Sequence, residues 1–286
     1  MTAALALCVS AYSLFTLMDT LIKILSSRYH VAQLLFFNAL FAWLTVVAIA
    51  ALRGNLRRVV SVQWRMHLLR WLIGLPGGFA IFWCYSRMPL ADVYSILFTA
   101  PLFMTALSVP FLGEQVGWRR WSAVVVGFAG VLVILDPGRG VLSWSALAAL
   151  LGAFVHAVNM LLLRRMRGID PPEVFGLWGN GLTLLGVGTL LWPVWVQPTL
   201  GDLFLHVVAG TVAGSGFLLL VQAYSKAPVA ILAPLQYSQL VFGLTVGLLY
   251  FGDVPSLRML AGAAVVVASG LFIFYRETVL GRRRSA

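Results

Sequence analysis

Charge is scarce in this sequence, and acid scarcest: nine Asp and Glu among 286 residues, with charged residues making up 10% of the chain. Soluble domains carry about 25% charge, so water is not the solvent for most of this surface. Cysteine is nearly absent too. Cys8 and Cys84 both lie inside apolar runs, with no CxxC or Cys/His spacing, which excludes a disulfide framework and a zinc site. Four histidines are scattered at positions 30, 67, 156 and 206, and no HExxH, Walker A or GxSxG spacing occurs. The expectation is a protein without metal, cofactor or enzymatic centre. Long polar stretches are missing as well, which leaves no room for a separate soluble domain. The N-terminus lacks a basic n-region and its apolar run continues to Leu25. That is too long for a signal-peptide core, so it is expected to be retained as a first span.

What the chain has in abundance is apolar surface: 61% hydrophobic residues and a mean hydropathy of +0.95. About 20 apolar residues carry a helix across a hydrocarbon core. The short alternating strands of a membrane barrel are absent. Continuous runs predict an all-α membrane protein with ten transmembrane helices: 3–25, 31–52, 68–85, 91–112, 121–135, 142–163, 174–196, 203–224, 229–250 and 257–275. The formal charge of +11 lies in the short gaps between runs and not along one amphipathic stripe, which argues for topology and against nucleic acid.

Ten spans put the termini and the even-numbered loops on one side. Of the 20 Lys and Arg, that side takes 15 and the other only 5, namely Lys23, Arg28, Arg87, Arg139 and Arg258. Both termini are therefore expected in the cytoplasm. Trp64, Trp118, Trp121, Trp144, Trp192 and Trp195 fall at predicted span ends, as an interfacial belt requires.

The chain also repeats itself. Tyr85-Ser86-Arg87-Met88-Pro89-Leu90-Ala91 lies over Tyr224-Ser225-Lys226-Ala227-Pro228-Val229-Ala230, and in the same register Gly113-Glu114 meets Gly252-Asp253. At a slightly different shift Ala4-Leu5-Ala6 meets Ala146-Leu147-Ala148, and Asn38 meets Asn180. The two units run over 1–139 and 140–286. Each holds five spans, an odd number, so the second enters the membrane from the other side. Inverted repeats of this kind recur in secondary transporters, with substrate bound near the midplane between the halves.

The residues Met18-Asp19-Thr20-Leu21-Ile22-Lys23, Phe36-Phe37-Asn38, Pro89-Leu90-Ala91, Thr99-Ala100-Pro101-Leu102, Gly113-Glu114 and Gly127 to Val131 resemble the drug/metabolite transporter (DMT) superfamily, specifically its EamA-type members of ten spans. The resemblance covers essentially the whole chain and is closest to YddG-type exporters of aromatic and other amino acids. It implies a bacterial inner-membrane exporter moving amino-acid-like zwitterions by alternating access. Similar proteins that take up S-adenosylmethionine or riboflavin supply an alternative; a channel or a non-transporting scaffold is the alternative of another class. The sequence sets no oligomeric state, and a monomer is compatible with it.

Candidate site residues follow from polarity and depth. The third span carries Gly74, Pro76 and Gly78, and the eighth carries Gly210, Gly214 and Gly216; either these expose backbone to a cavity or they are packing faces. Phe79, Phe98, Pro101, Gln236 and Tyr237 reach comparable depths. With Trp83 and Tyr94 they offer an aromatic lining, while His156, Asn159, Asn180, Gln236 and Asn38 would orient polar groups of the substrate. Asp19 and Lys23 stand four residues apart and can neutralise each other; alternatively Asp19 is a coupling carboxylate, since an ionisable group inside a span is costly.

Overall fold

The computed structural model describes residues 2–54, 61–113, 116–135, 143–166, 170–226 and 232–276. The boundary at 139/140, Glu114 and the repeat match at Ala227 to Ala230 lie outside them. Everything regular among the described residues is helical. The chain runs through α1 (Thr2–Leu25), α2 (Val31–Leu52), α3 (Trp64–Tyr85), α4 (Leu90–Leu97), α5 (Ala100–Leu112), α6 (Trp118–Leu135), α7 (Trp144–Arg165), α8 (Pro172–Gly188), α9 (Leu200–Lys226), α10 (Ser238–Val246) and α11 (Leu257–Tyr275). Helices α4 and α5 make one broken rod. A 3-10 turn at Ala233–Tyr237, α10 and a π turn at Gly247–Phe251 make another. Among the described residues this makes ten rods, eight of them long and apolar enough to cross a membrane.

Three boundaries differ from the sequence expectation. Helix α3 starts at Trp64, a turn earlier, which places Arg65 inside a helix and not in a loop. Helix α8 ends at Gly188, well short of Val196. Pro193 has no N–H to continue the ladder and would clash with the preceding turn, so Trp192–Val194 forms a 3-10 turn instead. The fourth rod breaks at Phe98 and Thr99, just before Pro101. In the register that lays Tyr85 on Tyr224, the break at Phe98 falls on the end of the 3-10 turn at Tyr237. The same register pairs the glycines that stop the two rods. Gly113 has φ 66° and Gly252 φ 68°, a left-handed conformation that glycine adopts without steric cost.

Polar bonds between distant segments sort the helix ends. At one end Lys23 meets Asp253 and the Met88 carbonyl, Arg28 meets Asp202, Gln33 meets Val196, and Cys84 meets the Ser145 carbonyl. At the other, Arg53 meets Glu173, His67 meets Asp170, and Cys8 meets the Leu232 carbonyl. Successive rods therefore alternate in direction, and the second unit starts where the first one's helices finish, which is the inverted arrangement. The pairs Lys23–Asp253, Arg28–Asp202, Arg53–Glu173 and His67–Asp170 each join one repeat to the other.

Packing differs sharply between the ends. One continuous buried cluster fills the Lys23 end, drawing on Leu25, Leu34, Cys84, Leu90, Ile96, Ala149, Val187, Ala209 and Val266 from nearly every rod. Towards the Cys8 end the buried residues separate into small groups, such as Ala4, Cys8 and Leu232, or Val46, Leu177 and Leu218. On the outer surface of this end a pocket of about 450 Å3 lies among Gln63, Met66, Leu69, Phe111, Leu162, Arg165 and Met166, and at the Lys23 end a smaller one of about 140 Å3 lies among Asp92, Leu244, Asp253 and Met259. The molecule is closed at the Lys23 end and looser at the end that carries the N-terminus.

Candidate functional site

Asp19 lies on α1 beneath the closed end and is 3% exposed. The Tyr94 hydroxyl, from α4, donates to its Oδ2 at 2.7 Å, and Tyr85 at the end of α3 is the second phenol directed at it. Thr16, one turn back on α1, lies at the Tyr94 hydroxyl. A carboxylate cut off from water needs donors; Tyr94 supplies one, and Tyr85 stands close by. Lys23 does not join this group. Its ammonium turns to Asp253 at 3.0 Å and to the Met88 carbonyl at 3.1 Å, so the mutual neutralisation of Asp19 and Lys23 is replaced by one node inside and one latch across the closed end.

From the node an aromatic row leads to the centre. Tyr94 stacks on Phe98 at 6.4 Å, and Phe98 meets Tyr237 edge-on at 5.0 Å. Phe98 and Tyr237 are partners in the repeat register, and each sits at the break of its rod. The contact therefore marks the pseudo-two-fold axis. Glycines make room for both tyrosines: a Cβ at Gly243 would strike the Tyr94 ring, and one at Gly270 the Tyr237 hydroxyl. Phe79 and Trp83 are half-buried and pack against the same closed-end cluster, with Arg87 over the Trp83 ring at 5.7 Å.

The polar candidates divide. His156 is exposed, on the face of α7 that also carries buried Ala149 and Gly152. Asn159, one turn on, holds only its own Val155 carbonyl at 3.4 Å and faces Gly74. Asn180 donates to Gly176 within α8. Asn38 is half-buried, its side-chain oxygen enclosed without a partner. Gln236 is half-buried in the 3-10 turn beside Tyr237.

Among the glycines, Gly210 and Gly214 press α9 onto α2, where a Cβ would meet the Asn38 carbonyl and Ala42 backbone at 2.9 and 2.8 Å. Gly216 faces Ala11 and Phe15 of α1, and its repeat partner Gly77 faces Val155 of α7. These are packing contacts of the close small-residue kind. Gly78 meets Leu35 at an ordinary 3.5 Å, while Pro76 is exposed. Sequence reasoning missed Tyr85, Gly243 and Gly270. Tyr85 begins the repeat match and could have been found there; the glycines carry no signal until the tyrosines above them are placed.

A profile of the EamA-like transporter family matches residues 1–136 and 143–275. A riboflavin transporter of Rhizobium johnstonii is 31% identical over 215 residues, covering 75% of this chain and 71% of that protein. An S-adenosylmethionine uptake transporter of Rickettsia bellii is 26% identical over 91% of this chain and 89% of its own length. The pseudopaline exporter CntI of Pseudomonas aeruginosa is 26% identical over 92% and 93%. A solved crystal structure superimposes with a TM-score of 0.67 over 100% of both chains at 20% identity, which establishes a shared fold. These relatives are named for three different metabolites and not as YddG-type amino-acid exporters, so what stands of the expected resemblance is the family and not that subgroup. With the family profile covering both halves of a ten-rod inverted repeat, the chain belongs to the EamA-like transporter family and is a multi-pass membrane transporter, not an enzyme.

Proposed function

We propose that this transporter exports small amino-acid-like zwitterions, aromatic ones included, from the cytoplasm by alternating access between the two repeats. The observation that carries the reading is the contrast of ends: one continuous apolar cluster around and above the Asp19–Tyr94–Phe98–Tyr237 row, and smaller, separate clusters below it. Rocking the repeats would open the plug and close the opposite end. The basic bias of the termini-bearing side supports a cytoplasmic location for it. Asp19 is the coupling carboxylate in this reading, and Lys23 belongs to the gate. Stacking on Phe98 and Tyr237 suits a flat apolar group.

Uptake into proteoliposomes tests it. Phenylalanine and methionine should move faster than dicarboxylates or sugar phosphates, with saturation and counter-flow. A second reading, uptake of riboflavin or S-adenosylmethionine, is favoured by the names of two relatives. Faster movement of either compound than of any amino acid would replace the first reading with the second.

A further inference from the structure

Arg70 is the guanidinium set deepest into α3, two turns from the start of the helix at Trp64. It shares the inward face with His67 and Gly74, opposite exposed Leu69, Leu72 and Pro76. Its guanidinium lies over the Phe175 ring at 5.4 Å, and its Nε is enclosed with no hydrogen-bond partner. Among the described residues no carboxylate reaches it. Asp170 is turned to His67 at 3.0 Å and to Ser61 at 2.6 Å, and Glu173 to Arg53 at 3.2 Å. One turn deeper on the same face Gly74 admits the Asn159 amide, whose Nδ2 would stand 3.1 Å from a Cβ there. That amide has only a stretched bond to its own helix at 3.4 Å, and His156, a turn further along α7, is exposed. Guanidinium and amide thus lie about a turn apart along one face of α3, at the loosely packed end.

An arginine within a span is expensive unless it is paired, and here the nearby acids are already taken. Its planar fork matches a carboxylate in a two-bond geometry that a lysine cannot reproduce. We propose that Arg70 is a docking point for the carboxylate of the transported compound, with the Asn159 amide as its companion donor. The inference rests on the transport reading above and narrows its substrates to carboxylate-bearing molecules. A cation lacking that group would lose the anchor.

The test is thermal unfolding of the purified full-length protein in detergent, with phenylacetate, phenylalanine, phenethylammonium and phenyl phosphate as probes sharing one ring. At ten times Kd a bound ligand should raise Tm by roughly 2–4 °C. Phenylacetate and phenylalanine should produce that shift and phenethylammonium should not. Arg70→Gln should weaken the carboxylate response at least tenfold, Arg70→Lys should retain part of it, and Arg65→Gln, on the exposed side of the same helix, should leave it intact. Should Arg70→Gln fail to fold, Arg70→Lys decides: wild-type affinity in that variant would overturn the fork as anchor. Equal shifts from all probes, no shift from the carboxylates, or an unchanged response in Arg70→Gln would each overturn the proposal, and a stronger shift from phenyl phosphate would reassign the site to phosphate esters. Arg70-dependent carboxylate binding without transport of any compound would sink the transport reading and leave the site; transport of phenethylammonium without carboxylate binding would do the reverse.

Discussion

His67 and His206 occupy the same place in their two repeats, and their surroundings impose opposite costs. His67 is held through Nε2 by Asp170 at 3.0 Å and lies against Phe175 and Trp178. His206 is fully buried between Tyr29 and Phe37, at 5.3 and 4.5 Å between ring centres, and both its nitrogens lack partners. Leaving a buried polar group unpaired costs about 1–3 kcal/mol, whereas replacing it with an apolar group of similar shape restores that energy. His206→Phe should therefore keep or raise Tm. His67→Phe should lower stability by about 1–3 kcal/mol, because Asp170 would keep only Ser61. A loss of stability in His206→Phe equal to that in His67→Phe would contradict the assignment. Asp19 makes a residue-scale test of coupling. Asp19→Asn keeps the size of the side chain but cannot exchange a proton near neutral pH. A proton gradient should then no longer drive net substrate movement, while counter-flow of substrate persists; net driven flux at wild-type level would remove Asp19 from the coupling role.

At the scale of elements, the broken fourth and ninth rods do what a continuous helix could not, bringing Phe98 and Tyr237 edge to face at the centre. Their seats are specific. Gly243 leaves only enough room for the Tyr94 ring, so Gly243→Ala should displace Tyr94 from Asp19, costing about 1–3 kcal/mol as overpacking does. Gly247, whose Cβ would meet Asp253 at an ordinary 3.7 Å, should accept alanine with little change in Tm. If both variants unfolded at the same temperature, the tight seat would be refuted. The sequence made the number of rods, their alternation and the repeat legible because apolar runs near 20 residues and the Tyr85/Tyr224 match are strong one-dimensional signals. It also reached Tyr94, Phe98 and Tyr237, since depth along a helix follows from counting. Partner choice was not legible. Asp19 and Lys23 sit at a spacing that permits pairing, yet the folded chain brings Tyr94 to one and Asp253 to the other, from positions far along the sequence. Rod ends at Pro193 and Trp64 shifted for the same reason, because local chemistry and packing override hydropathy at the margins.

The whole molecule is held shut at one end by a plug and by polar ties between the repeats. Lys23 and Asp253 are mostly buried, with side chains 14% and 27% exposed, and Lys23 also caps the Met88 carbonyl. Arg28 and Tyr29 both bind Asp202, and Gln33 exchanges two bonds with Val196. Exposed pairs contribute up to about 1 kcal/mol, and breaking buried ones costs about 3–5 kcal/mol; a mostly buried pair falls between. Losing about 1.4 kcal/mol shifts a two-state balance tenfold. Asp253→Asn should therefore favour the state open at the Lys23 end, since Lys23 keeps a carbonyl but loses its counter-charge. Restraining the same contact should have the reverse effect. With Cys8→Ala and Cys84→Ser removing the native thiols, Lys23→Cys paired with Asp253→Cys can be bridged by a short bis-thiosulfonate reagent, which forms a disulfide with each cysteine and releases sulfinate. Bridging should stop transport, and reduction should restore it. Either single cysteine treated the same way should keep working, because modification alone does not tie the repeats together. Full transport by the bridged double variant would mean that the Lys23 end does not open during the cycle, and the alternating-access reading would have to be given up.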